Sequence, residues 1–114
     1  MQETQLDGIF HALSDPTRRA ILARLAQGEA NVAELMAPFP FSQPTISRHL
    51  KVLEKAGLIE GARDAQKRPR RFVAAAMKDA ADWIEPFRRQ WERRFANLDD
   101  HLAKLQKAPP REES

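Results

Sequence analysis

The strongest constraint on the fold of this chain is the pair of prolines at Pro38 and Pro40. Neither proline can continue a helix, and each favours an extended conformation in the residue before it. A short helix capped by Asn31 must therefore end before them, and Ser42 is a suitable cap for a second helix after them. Gly57 suits the position just past the end of that second helix. The pattern predicts a short helix, a tight turn and a second helix, which is a helix-turn-helix.

The flanking segments predict a mostly α-helical fold with one small β-hairpin. Residues 4–13 and about 15–27 show the apolar spacing of two amphipathic helices, and Asp15 and Pro16 suit the cap and the first position of the second one. Two short β-prone runs, 58–60 and 71–75, lie on either side of a polar loop and indicate a hairpin. A hairpin that directly follows the second helix of a helix-turn-helix is a wing. With a final helix, the predicted order is α-α-α-α-β-β-α, a winged helix-turn-helix.

The final segment carries an apolar stripe that is too long for a small winged domain to cover. Over residues 79–107 the apolar residues return at steps of three or four, which predicts a helix that Pro86 kinks or interrupts early. The stripe consists of Trp83, Phe87, Trp91, Phe95, Leu98, Leu102 and Leu105. It could be an intrachain core helix, but a second copy of the chain would bury it. Residues 1–107 are predicted to form one domain, and 108–114 a disordered tail.

The composition excludes several classes of protein. A length of 114 residues suits one compact domain, and the lack of cysteine excludes disulfides and thiolate metal sites. No apolar run approaches the ~18–20 residues of a membrane span, and the N-terminus does not resemble a secretory signal, so we expect a cytoplasmic protein. No catalytic constellation, phosphate loop or metal cluster occurs at a useful spacing, so we expect neither an enzyme nor a bound cofactor.

The positive charge of the chain is concentrated in one region. The whole chain has a formal net charge of +3, whereas residues 42–71 carry eight Lys and Arg against three Asp and Glu, a net charge of +5. A local basic patch suits a polyanionic partner such as nucleic acid. The alternative is a solvated charged face, which is the usual fate of a charge run in a generic chain.

The second helix of the predicted helix-turn-helix has a side suited to DNA. Helical spacing places Ile46, Leu50 and Leu53 on one side. The N-terminal tip and the opposite side hold the candidate DNA contacts, which are Ser42, Gln43, Pro44, Thr45, Ser47, Arg48 and Lys51. Arg pairs with guanine, Gln with adenine, and Ser or Thr with bases or phosphates. An ordinary surface helix would carry acids there, yet the first acid is Glu54. His49 borders the apolar side, and a structural histidine explains it at least as well as a DNA contact.

The predicted wing adds a second group of cations. They are Arg63, Lys67, Arg68, Arg70 and Arg71, with Asp64 the only acid among them. Such a hairpin suits phosphates or a narrow minor groove. Solvation is again the alternative, but the neighbouring helix favours a shared DNA-binding surface.

Three stretches of the chain resemble the ArsR/SmtB-type winged helix-turn-helix transcriptional repressors. They are FHALSDPTRRAIL (10–22), SQPTISRHLKVLEKAGLI (42–59) and the end of the basic wing, RRFVA (70–74). The resemblance covers about residues 4–75. The long final helix with its two tryptophans resembles a subgroup of this family that lacks metal-sensing cysteines.

The resemblance implies a homodimer that binds double-stranded DNA at a near-palindromic operator. Such proteins usually repress transcription, often of their own operon. Their first and last helices form the dimer interface, which would add three residues of the first helix to the apolar stripe: Leu6, Ile9 and Phe10.

Two departures from the family pattern argue against metal sensing. The segment near the third helix, NVAELMAPF, has no cysteine. Asp99 and His101 match the first half of the family's other metal site, but no later histidine completes it, and a tight site wants three or four ligands. A small-molecule or protein effector stays unassigned. The competing hypothesis is a helical protein–protein adaptor whose basic wing binds an acidic partner; sequence preference on duplex DNA distinguishes the two.

Overall fold

A computed structural model describes residues 3–61 and 69–107 of the chain. Its elements are α1 (Glu3–Leu13), α2 (Pro16–Leu25), α3 (Val32–Met36), α4 (Gln43–Lys55), β1 (Ile59–Gly61), β2 (Arg70–Phe72) and α5 (Ala74–Lys107). This order confirms the predicted fold class of a mostly helical winged helix-turn-helix. The chain divides into a compact unit up to Ala81 and a second unit from Asp82. That residues 1–107 act as one domain stays a prediction, and 108–114 lie outside the described residues.

The short helices begin at the capping residues that the sequence predicts. The Asp15 carboxylate accepts a hydrogen bond from the backbone N–H of Arg18 at 3.0 Å, and Pro16 occupies the first helical position of α2. Asn31 accepts from the backbone N–H of Glu34 at 2.8 Å, and Glu34 accepts in return from the N–H of Asn31 at 3.1 Å. These bonds satisfy N–H groups that a helix leaves unpaired at its start.

The core of the first unit is apolar and draws on nearly every element. Its buried members are Ile9, Ala12, Ile21, Leu22, Leu25, Ala30, Leu35, Ile46, Leu50, Leu53, Leu58, Ile59 and Ala80. The apolar side of α4 packs at the centre of this cluster, where Ile46, Leu50 and Leu53 are almost fully enclosed. Burying a side chain of this size contributes roughly 1.5–3 kcal/mol, so α4 is held firmly by one side.

A left-handed turn at Gly57 follows the end of helix α4. Gly57 has a φ of 77°, its N–H donates to the carbonyl of Glu54 at 3.0 Å, and the N–H of Leu58 donates to the carbonyl of Leu53 at 3.0 Å. These two bonds define a Schellman motif, and Leu53 and Leu58 are both buried, as that motif favours. The turn sends the chain directly from α4 into β1.

The wing is a two-stranded antiparallel hairpin. Ile59 pairs with Phe72, and Gly61 pairs with Arg70. The backbone of Ala30 extends the pairing, because it exchanges hydrogen bonds with Arg70 at 2.7 and 3.2 Å. The segment before α3 is therefore tied to the base of the wing.

Two predicted boundaries near α5 are wrong. Ala74 and Ala75 were expected at the end of the second strand, but they begin α5, which therefore starts five residues earlier than predicted. Alanine has the highest helix propensity, and the run of three alanines from Ala74 is better placed in a helix than in a strand. Pro86 lies inside α5 without ending it. None of the helices in residues 3–61 and 69–107 has an apolar stretch able to cross a membrane.

The two glycines of this unit that are most informative for stability should respond oppositely to alanine. Gly57→Ala should lower the free energy of unfolding by about 1 kcal/mol, because an L-residue is strained at its φ. Gly8→Ala lies within helix α1, where alanine should raise the free energy of unfolding by about 0.5–1 kcal/mol. Among the described residues, no atom lies within 4 Å of a Cβ at either position, so steric clash does not enter. Denaturant unfolding at a fixed protein concentration measures both; equal effects would contradict the backbone argument.

Candidate nucleic-acid interface

The candidate contacts of α4 lie at its N-terminus and on the side away from the core. Five of them are exposed, and two, Thr45 and Ser47, are half-buried. The exposed ones are Ser42, Gln43, Pro44, Arg48 and Lys51. The structure thus gathers all seven predicted residues of this helix onto one accessible surface. Their role in DNA binding stays a prediction.

The first turn of α4 provides an anion-attracting tip. Ser42 is the N-cap, with its Oγ 3.5 Å from the backbone N of Thr45 and 3.1 Å from the Thr45 Oγ1. Gln43 and Pro44 follow as the first helical residues. The N-terminus of a 13-residue helix carries a partial positive charge, and its free N–H groups can bind a phosphate.

The exposed side of α4 presents uncompensated positive charge. Within residues 3–61 and 69–107, neither Arg48 nor Lys51 makes an ion pair. The only acid on this helix, Glu54, is engaged by Arg70, whose Nε lies 2.6 Å from its Oε1. The side chains of Arg48 and Lys51 are therefore available to an incoming polyanion.

Arg70, which the sequence predicts as a DNA contact of the wing, makes an ion pair within the chain, and its contact with DNA stays a prediction. Its side chain is only 15% exposed, and its bond to Glu54 links β2 to the last turns of α4. This ion pair holds the base of the wing against α4. Charge counting missed this because the two residues lie 16 positions apart.

The remaining wing residues divide into two groups. Arg71 is exposed and pairs with Glu60, its partner across the hairpin. Such a surface pair exchanges readily with solvent, so Arg71 can still turn to a phosphate. Arg63, Lys67 and Arg68 lie outside the described residues, and their contact with DNA stays a prediction.

The sequence interpretation missed a buried arginine that joins three helices. Arg18 is only 9% exposed. Its Nε donates to the carbonyl of Ala12 at 2.7 Å, its Nη2 to the carbonyl of His11 at 3.0 Å, and its Nη1 lies 3.3 Å from Nδ1 of His49. Its position three residues before the buried Ile21 was the available signal, because that spacing places it on the core side of α2.

Asp15 stands beside this arginine and completes a polar corner next to α4. Its Oδ2 lies 4.0 Å from Nδ1 of His49. The hydrogen bond from the backbone N–H of Arg18 holds the pKa of Asp15 below its usual range. His49 therefore faces the α1–α2 corner, so the structural role that the sequence left open is the one its contacts support.

The predicted dimer surface is exposed along α5 and partly hidden on α1. All seven apolar residues of the α5 stripe are between 44% and 62% exposed: Trp83, Phe87, Trp91, Phe95, Leu98, Leu102 and Leu105. Leu6 and Phe10 are half-buried. Ile9 is corrected to the core, because a side chain 2% exposed offers no surface to a partner.

In the described part of the chain, no group of three His, Cys, Asp or Glu side chains could hold a metal.

Comparison with known proteins agrees with this geometry. Residues 15–60 match the model of the arsR family of bacterial regulatory proteins. The chain is similar to the transcriptional repressor SdpR of Bacillus subtilis, with 33% identity over 82 residues, which is 72% of this chain and 91% of that protein.

Solved structures give the same result. A crystal structure of an ArsR-family transcriptional regulator has 38% identity and a TM-score of 0.70, and the match covers 77% of this chain and 97% of that one. A homodimeric winged helix-turn-helix DNA-binding domain from Mycobacterium bovis has 27% identity and a TM-score of 0.59, over 87% of this chain and 82% of that one.

Arg48→Ala should weaken binding to a preferred DNA sequence by ~1–3 kcal/mol and relax the base preference at one position, as loss of a bidentate base contact does. Fluorescence anisotropy with preferred and random duplexes measures both effects. Lys104→Ala is the control, since it removes an exposed charge of α5 far along the chain from α4. Equal losses on preferred and random DNA would make Arg48 a phosphate contact instead.

Proposed function

Because the chain belongs to the ArsR family of bacterial transcriptional regulators, we propose that it represses transcription as a homodimer bound to a near-palindromic operator. The resemblance drawn from the sequence is confirmed, and so is the expectation of a DNA-binding regulator that is not an enzyme. The adaptor alternative finds no support, since the relatives are named as transcriptional regulators.

The proposed DNA-binding surface is chosen on the basis of one observation. Among the described residues, no acid pairs with Arg48 or Lys51 on the side of α4 that faces away from the core. A helix held by one apolar side and presenting cations, hydroxyls and an amide on the other fits the major groove. The wing base lies against the same helix through Arg70, so the hairpin is suited to follow the adjacent backbone.

The dimer part of the proposal rests on the α5 stripe. A run of seven exposed apolar side chains is unusual for a monomer, and aromatic residues dominate interfaces of this kind. Two copies of the chain would place their two α4 helices on half-sites ~34–36 Å apart. The similar Mycobacterium bovis domain is named as homodimeric, which supports the dimer.

Repression is proposed from the relatives and from simple occlusion. The similar Bacillus subtilis protein is named a transcriptional repressor. A dimer that covers both half-sites of an operator near a promoter would exclude RNA polymerase from the same DNA.

Selection of bound sequences from random duplex DNA tests the operator. We expect enrichment of an inverted repeat whose two half-sites are separated by one helical turn, ~34–36 Å. Affinity for the enriched sequence should fall steeply with salt, since phosphate contacts release counterions. A single unrepeated half-site would contradict the dimer, and no enrichment over random DNA would contradict sequence-specific binding.

The double variant Trp91→Ala/Leu98→Ala should shift the protein toward monomer, because truncating a central aromatic of an interface commonly costs ~2 kcal/mol or more. Operator binding should be lost while weak, salt-sensitive binding to random DNA remains. Sedimentation velocity and an operator-binding assay measure both effects. Gln90→Ala/Asn97→Ala alters adjacent exposed polar positions of α5 and should leave the dimer intact. A double variant that stays dimeric and binds normally would remove α5 from the interface.

A further inference from the structure

Arg18 is the one core residue of the first unit that carries a charge among those described. A buried cation is stable only when its donors are satisfied, since desolvation otherwise dominates. Two of its donors reach the carbonyls of His11 and Ala12, in the last turn of α1, where the helix dipole is negative. A third donor, Nη1, lies 3.3 Å from Nδ1 of His49 on α4.

This third contact restricts the protonation state of His49. A guanidinium has only donors, so this hydrogen bond forms only when Nδ1 of His49 is an unprotonated acceptor and the ring proton lies on Nε2. If Nδ1 became protonated, a donor would face a donor at 3.3 Å. The carboxylate of Asp15, 4.0 Å from the same atom, would attract the protonated ring, but the Arg18 guanidinium is closer, at 3.3 Å, and would repel it.

Other charged groups near His49 do not make this contact. A groove beside α1 and α4 is lined by Asp7 and His11 of α1 and by Lys55, which lies six positions after His49 on α4. On α4 itself, the neighbouring Arg48 and Lys51 are exposed on the side away from the core. From the α1–α2 corner, Arg18 and Asp15 are the groups that face the Nδ1 atom.

We propose that Arg18 is a positioning residue that orients α4 for DNA through a hydrogen bond to neutral His49, so that protonation of His49 weakens operator binding. The inference rests on α4 being the DNA-binding helix. His49 directly follows Arg48, so a small rotation of the helix at this contact displaces the cation assigned to base recognition. The sign is informative, because a histidine that touched DNA would strengthen binding when protonated.

Two substitutions at His49 separate the hydrogen bond from the ring. His49→Asn places an amide oxygen near the position of Nδ1 and does not titrate, whereas His49→Ala has no acceptor. His11→Asn is the control, since only the backbone carbonyl of His11 takes part. Operator and random duplexes are titrated at pH 7.5 and 5.5 at one ionic strength, and circular dichroism verifies that each variant is folded.

We expect wild type and His11→Asn to bind the operator roughly tenfold more weakly at pH 5.5 than at pH 7.5, the size of a hydrogen bond to a charged group. His49→Asn should bind at pH 7.5 within about threefold of wild type and lose most of the pH dependence. His49→Ala should be about tenfold weaker at pH 7.5 on the operator, with little change on random DNA.

Three results would overturn the inference. They are tighter wild-type binding at pH 5.5 that His49→Asn abolishes, His49→Ala binding like wild type, or an equal loss on operator and random DNA. Arg18→Lys provides a second measurement: it should weaken operator binding less in the His49→Ala background than in wild type, because the contact is already gone. If wild type binds no DNA at pH 7.5, the proposed function fails, a result distinct from any of these.

Discussion

The burial of one side of α4 is the constraint on which the rest of the structure depends. Ile46, Leu50 and Leu53 lie in the core with almost no exposed surface. Because a helix turns through about 100° per residue, fixing these three side chains also fixes the direction of every other side chain on α4. The cations and hydroxyls assigned to DNA face outward because the three apolar side chains of the same helix face the core. Folding and presentation of the binding surface are thus one event.

The elements could be predicted from sequence wherever a local rule acts within a few residues. The caps at Asp15 and Asn31 and the turn at Gly57 are all set by neighbouring backbone groups, so their positions followed from residue type. The start of α5 was missed, because the weak strand signal of a valine-containing run competed with alanine propensity at Ala74. Ile9 was placed at an interface because the family resemblance implies that the first helix lies there, and resemblance alone does not show which side of a helix is buried in the chain's own core.

The residue types of the candidate site were predictable from the sequence, but the ion pairs and hydrogen bonds that they form were not. Sequence shows that Arg70 and Glu54 carry opposite charges, but only the fold brings β2 against the end of α4. The same holds for Arg18, whose partners on α1 and α4 are 6 and 31 residues away. Summed charge therefore overstates the number of free cations, and helical periodicity understates the number of polar groups that a core can hold.

The base of the wing is closed independently of the segment that joins its strands. Backbone bonds from Ala30 and the pairing of Gly61 fix the position of Arg70 on one strand, while its side chain is held by Glu54. Doubling the length of a flexible loop between fixed ends costs only about 0.6 kcal/mol in closure entropy. The base of this hairpin can accordingly carry different connecting loops. Loops of other lengths and charges would therefore fit above the same base, with Arg70 still linked to Glu54 of α4.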